Sequence, residues 1–92
     1  MTEEKEINYM LVQDGCGACA MAKKLLEEPI KKGKIKIVNV STKEGLELAE
    51  KHDVRAVPTI INEKGDFQQK CFLSKDGKKM YCDDGSEKKI ID

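Results

Sequence analysis

The stretch Ile7-Asn-Tyr-Met-Leu-Val-Gln-Asp-Gly-Cys-Gly-Ala-Cys19 joins an apolar run, a turn and a pair of cysteines. Residues Ile7 to Val12 are almost continuously apolar, with a β-branched residue at each end, which is typical of a strand buried on both faces. Gln13 to Gly15 supply the turn, and from Cys16 onwards the apolar positions have helical spacing. A C-x-x-C that opens a helix directly after a strand indicates a redox dithiol.

Cys16 is the candidate nucleophile of this pair. At a helix start, free backbone N–H groups and the positive end of the helix dipole stabilise a thiolate, which is the species that attacks disulfides. Cys19 lies one turn later, where it can attack the resulting mixed disulfide and release the product. Gly17 and Ala18 are small and leave the sulfur accessible to substrate. Asp14 would oppose thiolate formation, unless its carboxylate caps the helix instead.

Two other interpretations of the cysteines stay open. Cys16 and Cys19 could be half of a zinc site that Cys71 and Cys82 complete, although the spacing resembles no common zinc motif. The cysteines could also be small buried residues without chemistry. The strand–turn–helix setting favours the redox interpretation, with no metal bound.

The composition limits the class of protein. Ninety-two residues predict a single domain, 1–92. Seventeen basic and seventeen acidic side chains give zero formal net charge, so the basic face of a nucleic-acid-binding protein is not expected. The N-terminal residues do not resemble a signal peptide, and no apolar run approaches the about 20 residues that cross a bilayer. We therefore expect a cytoplasmic monomer with no membrane partner.

The remaining pattern predicts the element order β-α-β-α-β-β-β, with a right-handed crossover between two parallel strands at the start. The first helix is expected to end at Pro29, because a proline disfavours helical backbone in the residue before it. Later strands are predicted at residues 35–40, 57–62, 67–73 and 79–82, with the second helix capped by Ser41 or Thr42 and ending at His52. The apolar helix positions are expected in the core: Met21, Leu25 and Leu26 in the first helix, and Leu46, Leu48 and Ala49 in the second.

The C-terminal part contains a second thiol pair. Asp76-Gly77 is a strong hairpin signal, and a two-residue loop there places Cys71 opposite Cys82. Counted from such a loop, the two cysteines form a hydrogen-bonded pair, which is the less usual site for a cross-strand disulfide. Incidental thiols are therefore favoured, while a second redox or structural disulfide and a metal site stay open. Residues 83–86 should end the strand, and one helical turn is expected at 87–91.

Two stretches resemble the thioredoxin/glutaredoxin superfamily. One is Tyr9-Met-Leu-Val-Gln-Asp-Gly-Cys-Gly-Ala-Cys19, and the other is Ala49-Glu-Lys-His-Asp-Val-Arg-Ala-Val-Pro-Thr59. In that family a helix and a short loop precede a cis-proline, and the proline loop lies beside the catalytic cysteine. The resemblance therefore implies that Pro58 is cis and that it binds the substrate chain together with its neighbours Val57 and Thr59.

The resemblance also implies the fold and the activity. The expected fold is a compact thioredoxin-like α/β domain, β-α-β-α-β-β, with an added edge strand and a short or absent final helix. The implied activity is thiol-disulfide exchange with protein substrates through Cys16 and Cys19. It needs no bound cofactor beyond the redox-active disulfide, and an upstream reductase returns the electrons.

The chain also departs from the family pattern. Cys-Gly-Ala-Cys matches neither common signature, and Met10 stands where thioredoxins carry a buried aspartate that helps proton transfer. The paired glycines that bind glutathione in glutaredoxins are not evident. The alternatives are therefore a glutathione-linked glutaredoxin and a non-catalytic, metal- or partner-binding module.

Overall fold

The computed structural model describes residues 6–90, in which there are six strands and three helices. The strands are β1 (Glu6–Val12), β2 (Ile35–Asn39), β3 (Thr59–Lys64), β4 (Phe67–Leu73), β5 (Lys79–Cys82) and β6 (Glu87–Lys89). The helices are α1 (Gly17–Leu25), α2 (Glu27–Lys31) and α3 (Lys43–Lys51). Both ends of the expected 1–92 domain lie outside the described residues.

All six strands belong to one mixed sheet, in the order β2-β1-β3-β4-β5-β6. β1 and β2 are parallel, and the four other neighbouring pairs of the described sheet are antiparallel. This arrangement has the predicted α/β class and the predicted parallel start. As a result, the C-terminal ends of β1 and β2 and the N-terminal end of β3 lie at the same end of the sheet.

Two clusters of buried side chains lie on opposite faces of the sheet. The larger one, on the side of α1 and α2, contains Met10, Val12, Cys19, Ala22, Leu26, Ile35, Ile60, Cys71, Met80, Cys82 and Ile90. The smaller one contains Leu11, Val38 and Ile61, with half-buried residues of α3 packed against it. Because successive residues of a strand point to opposite faces, Met10 and Leu11 contribute to different clusters. β1 is therefore buried on both faces, as its apolar run predicts.

The expected single helix after the dithiol is in fact two helices. Leu26 leaves helical geometry at φ −103° and ψ 21°, and α2 begins at the next residue. Pro29 is the third residue of α2, where the backbone N–H has no intrahelical partner, so the expected helix end at this proline is wrong. The expected burial of Met21 and Leu25 is also wrong, since they are 67% and 44% exposed. Of the three core positions expected in this helix, only Leu26 is buried.

α3 starts where the sequence predicts, but fewer of its apolar residues are buried than expected. Thr42 is its N-cap, and the Thr42 hydroxyl oxygen accepts a hydrogen bond from the Gly45 backbone N–H at 3.1 Å. Leu48 and Ala49 pack against the smaller cluster. Leu46 points away from it and is 52% exposed, so its expected burial is wrong.

The C-terminal hairpin has the predicted register but a longer loop. Cys71 lies opposite Cys82, as counted from Asp76-Gly77. The last backbone hydrogen bond between the two strands joins the Ser74 N–H to the Lys79 carbonyl at 2.9 Å. The loop therefore contains four residues, 75–78, instead of two. This shifts the alternation of hydrogen-bonded positions by one residue. The two cysteines therefore form a non-hydrogen-bonded pair, contrary to expectation.

A disulfide joins Cys71 and Cys82. Their Cα atoms are 4.0 Å apart, in line with the closer approach of strands at non-hydrogen-bonded positions. The favoured interpretation of these cysteines as incidental thiols is therefore wrong. It assumed a two-residue loop, which would have made them a hydrogen-bonded pair. Within residues 6–90, no group of three or more His, Cys, Asp or Glu residues is arranged to hold a metal ion.

The chain then adds one strand more than expected. Residues 83–86 form a tight turn, in which Gly85 has φ 87° and its N–H donates to the Cys82 carbonyl at 2.9 Å. The turn reverses the chain, so residues 87–89 pair with β5 and the expected helical turn is wrong. β6, rather than β5, is consequently the edge strand on this side of the described sheet, and β2 is the edge strand on the other side. Residue 91, part of that expected turn, lies outside the described residues.

None of the helices found between residues 6 and 90 has the length and apolar character needed to cross a membrane.

Gly45 allows α3 to approach the end of β2, and its replacement tests this contact. A Cβ on Gly45 would overlap the carbonyl oxygen of Asn39 and lie 2.9 Å from the Cα of Val40. Gly45→Ala should therefore lower the free energy of unfolding by about 1–3 kcal/mol, as for other overpacked sites. Urea unfolding measures this change. Gly17→Ala is the control, because the space around that glycine is open, and an equal loss in both variants would contradict the prediction.

The Cys71–Cys82 disulfide should stabilise the fold by closing a loop of about a dozen residues in the unfolded chain. Chain-entropy arguments assign such a loop about 3 kcal/mol. We expect Cys71→Ala/Cys82→Ala to lose that amount in urea unfolding. The Cys16→Ser/Cys19→Ser variant, measured with and without reductant, should show the same difference. If reductant leaves the stability of that variant unchanged, the disulfide does not stabilise the protein.

Candidate active site

Cys16 is the N-cap residue of α1 and is half-buried. Its backbone is extended, and its Sγ accepts a hydrogen bond from the Cys19 backbone N–H at 3.1 Å. The sulfur thus takes the place of the side-chain oxygen that usually caps a helix. Asp14 does not cap the helix, since its carboxylate accepts a hydrogen bond from the Asn39 side-chain amide at 3.0 Å.

The surroundings of the two thiols shift their pKa values in opposite directions. The hydrogen bond from the Cys19 thiol, followed by that from the Cys19 backbone N–H, lowers the pKa of Cys16. The backbone N–H of Ala18 and the ammonium group of Lys23 act on this pKa in the same direction. Burial raises the pKa of Cys19, which is only 2% exposed, and the hydrogen bond with Cys16 adds to the rise. Cys16 therefore ionises first, as its predicted role as nucleophile requires.

The proline loop lies directly beside this sulfur. The Val57–Pro58 peptide bond is cis, the isomer that the resemblance implies. The Val57 carbonyl oxygen is 3.9 Å from Cys16 Sγ, although 41 residues separate the two in the chain. β3 starts only at Thr59, two residues later than expected, and the Thr59 hydroxyl donates to the Ala56 carbonyl at 2.6 Å. This hydrogen bond holds the loop that carries the proline.

Two open cavities flank the dithiol. The first, of about 400 Å³, is lined by Gln13, Asp14, Gly15, Cys16, Gly17, Cys19, Ala20 and Lys23. The second, of about 320 Å³, lies between α1 and the loop from β4 to β5. Its apolar lining consists of Ala18, Met21, Ala22, Leu25, Pro58, Phe72 and Leu73. Of the predicted second thiol pair, neither Cys71 nor Cys82 lines either cavity.

Sequence reasoning missed the apolar part of this site. Ala18, Met21 and Leu25 are spaced i, i+3, i+7, so they form one stripe along α1 that starts at the dithiol. Helical spacing predicts core positions for Met21 and Leu25, because apolar helix positions usually face a sheet. The dithiol itself was the signal that could have corrected this, since the residues beside an accessible sulfur must also be accessible. Lys23 was also missed as part of the site.

The profile of the thioredoxin family matches residues 5–81, which include both the dithiol and the proline loop. The chain belongs to the thioredoxin family. This membership confirms the predicted superfamily and the thioredoxin-like α/β fold. The match ends before Cys82, so the second half of the disulfide and β6 lie beyond it.

The chain is also similar to one curated protein and to one solved structure. Thioredoxin 1 from Nostoc sp. is 36% identical over 52 residues, which are 54% of this chain and 49% of that protein. The chain thus spans about half the length of this curated relative. A solved structure described as that of a malarial protein has a TM-score of 0.53 and 26% identity, and the match covers 70% of this chain and 74% of the other.

The lowered pKa of Cys16 predicts how the thiol reacts with alkylating reagents. Because only the thiolate reacts, alkylation of Cys16 by iodoacetamide should reach half its maximal rate below the about pH 8.5 of a free cysteine. The rate, followed by mass spectrometry from pH 5 to about 10, measures this midpoint. Cys16→Ser should lose the fast reaction and leave only slow modification of the buried Cys19. A midpoint for Cys16 at or above that of free cysteine would show that the helix start does not stabilise its thiolate.

Proposed function

We propose that the protein is a thiol-disulfide oxidoreductase that exchanges disulfides with protein substrates through Cys16 and Cys19. One observation carries the proposal: Cys16 Sγ caps α1 and lies 3.9 Å from the Val57 carbonyl, on the loop that contains the cis-proline. The Cys16 sulfur and the backbone of Val57 are thereby placed next to each other. Family membership supports thiol redox chemistry in general.

In the first step, the Cys16 thiolate attacks one sulfur of a substrate disulfide. The new bond joins Cys16 to the substrate, and the other substrate sulfur leaves as a thiolate that takes up a proton. In the second step, Cys19 loses its proton and attacks Cys16 Sγ. The Cys16–Cys19 disulfide forms, the second substrate thiol is released, and the substrate has gained two electrons. A reductase of the thiol-disulfide type would restore the dithiol, and the cycle uses no bound cofactor.

The surroundings of Cys16 suggest how the substrate is held. The backbone of Val57 is close enough to Cys16 to pair with an extended substrate segment that carries the disulfide. Gly17 and Ala18 are exposed and leave room for that segment. Thr59 is buried, so its part in the proposed site is to hold the loop through its hydrogen bond to Ala56.

The apolar cavity beside the proline extends this binding site. Met21 and Phe72 are 67% and 52% exposed on its two sides. Their exposure costs free energy in the isolated protein, and an apolar substrate side chain would remove this surface from water. We therefore propose that the substrate carries an apolar residue close to its disulfide.

Reduction of insulin disulfides in the presence of a chemical reductant tests the proposed function. Cys16→Ser should lower the rate to that of the reductant alone, because no other thiolate is placed at the proline loop. Cys19→Ser should instead accumulate a mixed disulfide with the substrate, visible as a mass increase that reductant removes.

The second cysteine pair supplies the control for this assay. Cys71→Ala/Cys82→Ala, assayed at a temperature at which it stays folded, should keep the activity of the wild type. If Cys16→Ser retains full activity, or if only the variant without the second pair loses it, the assignment of the reactive thiol is wrong.

A further inference from the structure

Helix α1 places three functional groups on one side. Cys19 is three residues after Cys16, and Lys23 is four residues after Cys19, so their side chains follow each other along the same helix face. All three line the same open cavity of about 400 Å³. Lys23 is exposed and takes part in none of the ion pairs found in residues 6–90.

The second step of the proposed reaction would benefit from a positive charge close to Cys19, because a thiolate must form there. Cys19 must lose its proton to attack, yet it is 2% exposed and burial raises its pKa. Met10, which belongs to the same buried cluster as Cys19, is fully buried and offers no proton acceptor. The other charged residue that lines the cavity is Asp14, whose negative charge would disfavour a second anion and which is held by the Asn39 amide.

The mixed disulfide changes the balance of charges around Cys19. In the free dithiol, the hydrogen bond and the charge of Cys16 both raise the pKa of Cys19. Once Cys16 is bonded to the substrate it carries no charge, so this repulsion disappears. Three influences then remain: burial, which raises the pKa of Cys19, and the backbone hydrogen bond at Gln13 and the attraction of Lys23, which both lower it. Of these, only the attraction of Lys23 comes from a charged side chain.

We propose that Lys23 is a positioning residue whose ammonium group stabilises the Cys19 thiolate while the mixed disulfide is resolved. The inference rests on the proposed function. In this step Cys19 gives its proton to water in the open cavity, the bond between Cys19 and Cys16 forms, and the bond between Cys16 and the substrate breaks. The departing substrate thiolate takes up a proton from water. Lys23 keeps its proton throughout and acts only through its charge.

Stopped-flow reaction of the reduced protein with 4,4′-dithiodipyridine separates the two steps. Each step releases one thiopyridone, which absorbs near-ultraviolet light, and the probe is neutral, so Lys23 does not attract it. Cys19→Ser should show the first release alone and thereby identify the second phase. Cys16→Ser measures the contribution of any other thiol.

Lys23→Gln should slow the second phase about three- to tenfold at neutral pH, because each unit of pKa changes the thiolate fraction tenfold. The midpoint of its pH profile should rise, and the rate should equal that of the wild type once the pH exceeds both midpoints. Lys23→Arg should restore the rate. Lys24→Gln is the matched control, since it removes the same charge from the same last turn of α1 but does not line the cavity.

Salt gives a second measurement that does not depend on a substitution. At about 1 M salt, where charges interact over only about 3 Å, the second phase of the wild type should slow towards that of Lys23→Gln. Equal second phases for Lys23→Gln and Lys24→Gln, with normal reduction by the wild type, would overturn the role of Lys23 and leave the proposed function intact. A wild type without any second phase would overturn the proposed function, and the role of Lys23 with it.

Discussion

The active-site geometry depends on one hydrogen bond, from the Cys19 backbone N–H to Cys16 Sγ. It satisfies a backbone donor at the start of α1, fixes the position of the sulfur and favours its charged form. The contact forms because β1 ends at Val12 and Gly15, at φ 77°, allows a tight reversal before the helix. The same local geometry therefore starts the helix and prepares the nucleophile.

The sheet topology brings the second half of the site to this sulfur. β1 and β3 are antiparallel, with Leu11 opposite Thr59, so the end of β1 meets the start of β3. The loop with the cis-proline must then lie beside Cys16, although it is far away in the chain. β2 is parallel to β1 and ends at the same edge, where Asn39 binds the carboxylate of Asp14. The segments that follow β1, follow β2 and precede β3 therefore meet at the dithiol. The direction of each strand determines which of its ends lies there.

Features with a local cause could be predicted from the sequence. The dithiol at a helix start, the parallel first strands and the register of Cys71 against Cys82 each follow from short patterns of residues. The errors arose where long-range packing decides. No glycine or proline marks the break at Leu26, so the exposure of Met21 was not visible in the helical pattern. A loop of four residues instead of two changed Cys71 and Cys82 from a hydrogen-bonded pair to one that a disulfide joins.

The C-terminal hairpin explains why the chain has two cysteine pairs of different character. The family profile ends at residue 81, within β5, and beyond it β6 extends the sheet. The β4–β5 loop packs on α1, where a Cβ on Gly77 would lie 3.1 Å from the Cβ of Leu25. This loop forms one wall of the apolar cavity beside the dithiol, and the disulfide ties together the two strands that carry it. Cys71 and Cys82 are accordingly buried and joined to each other. Cys16, in contrast, can react because it lies at an accessible helix start.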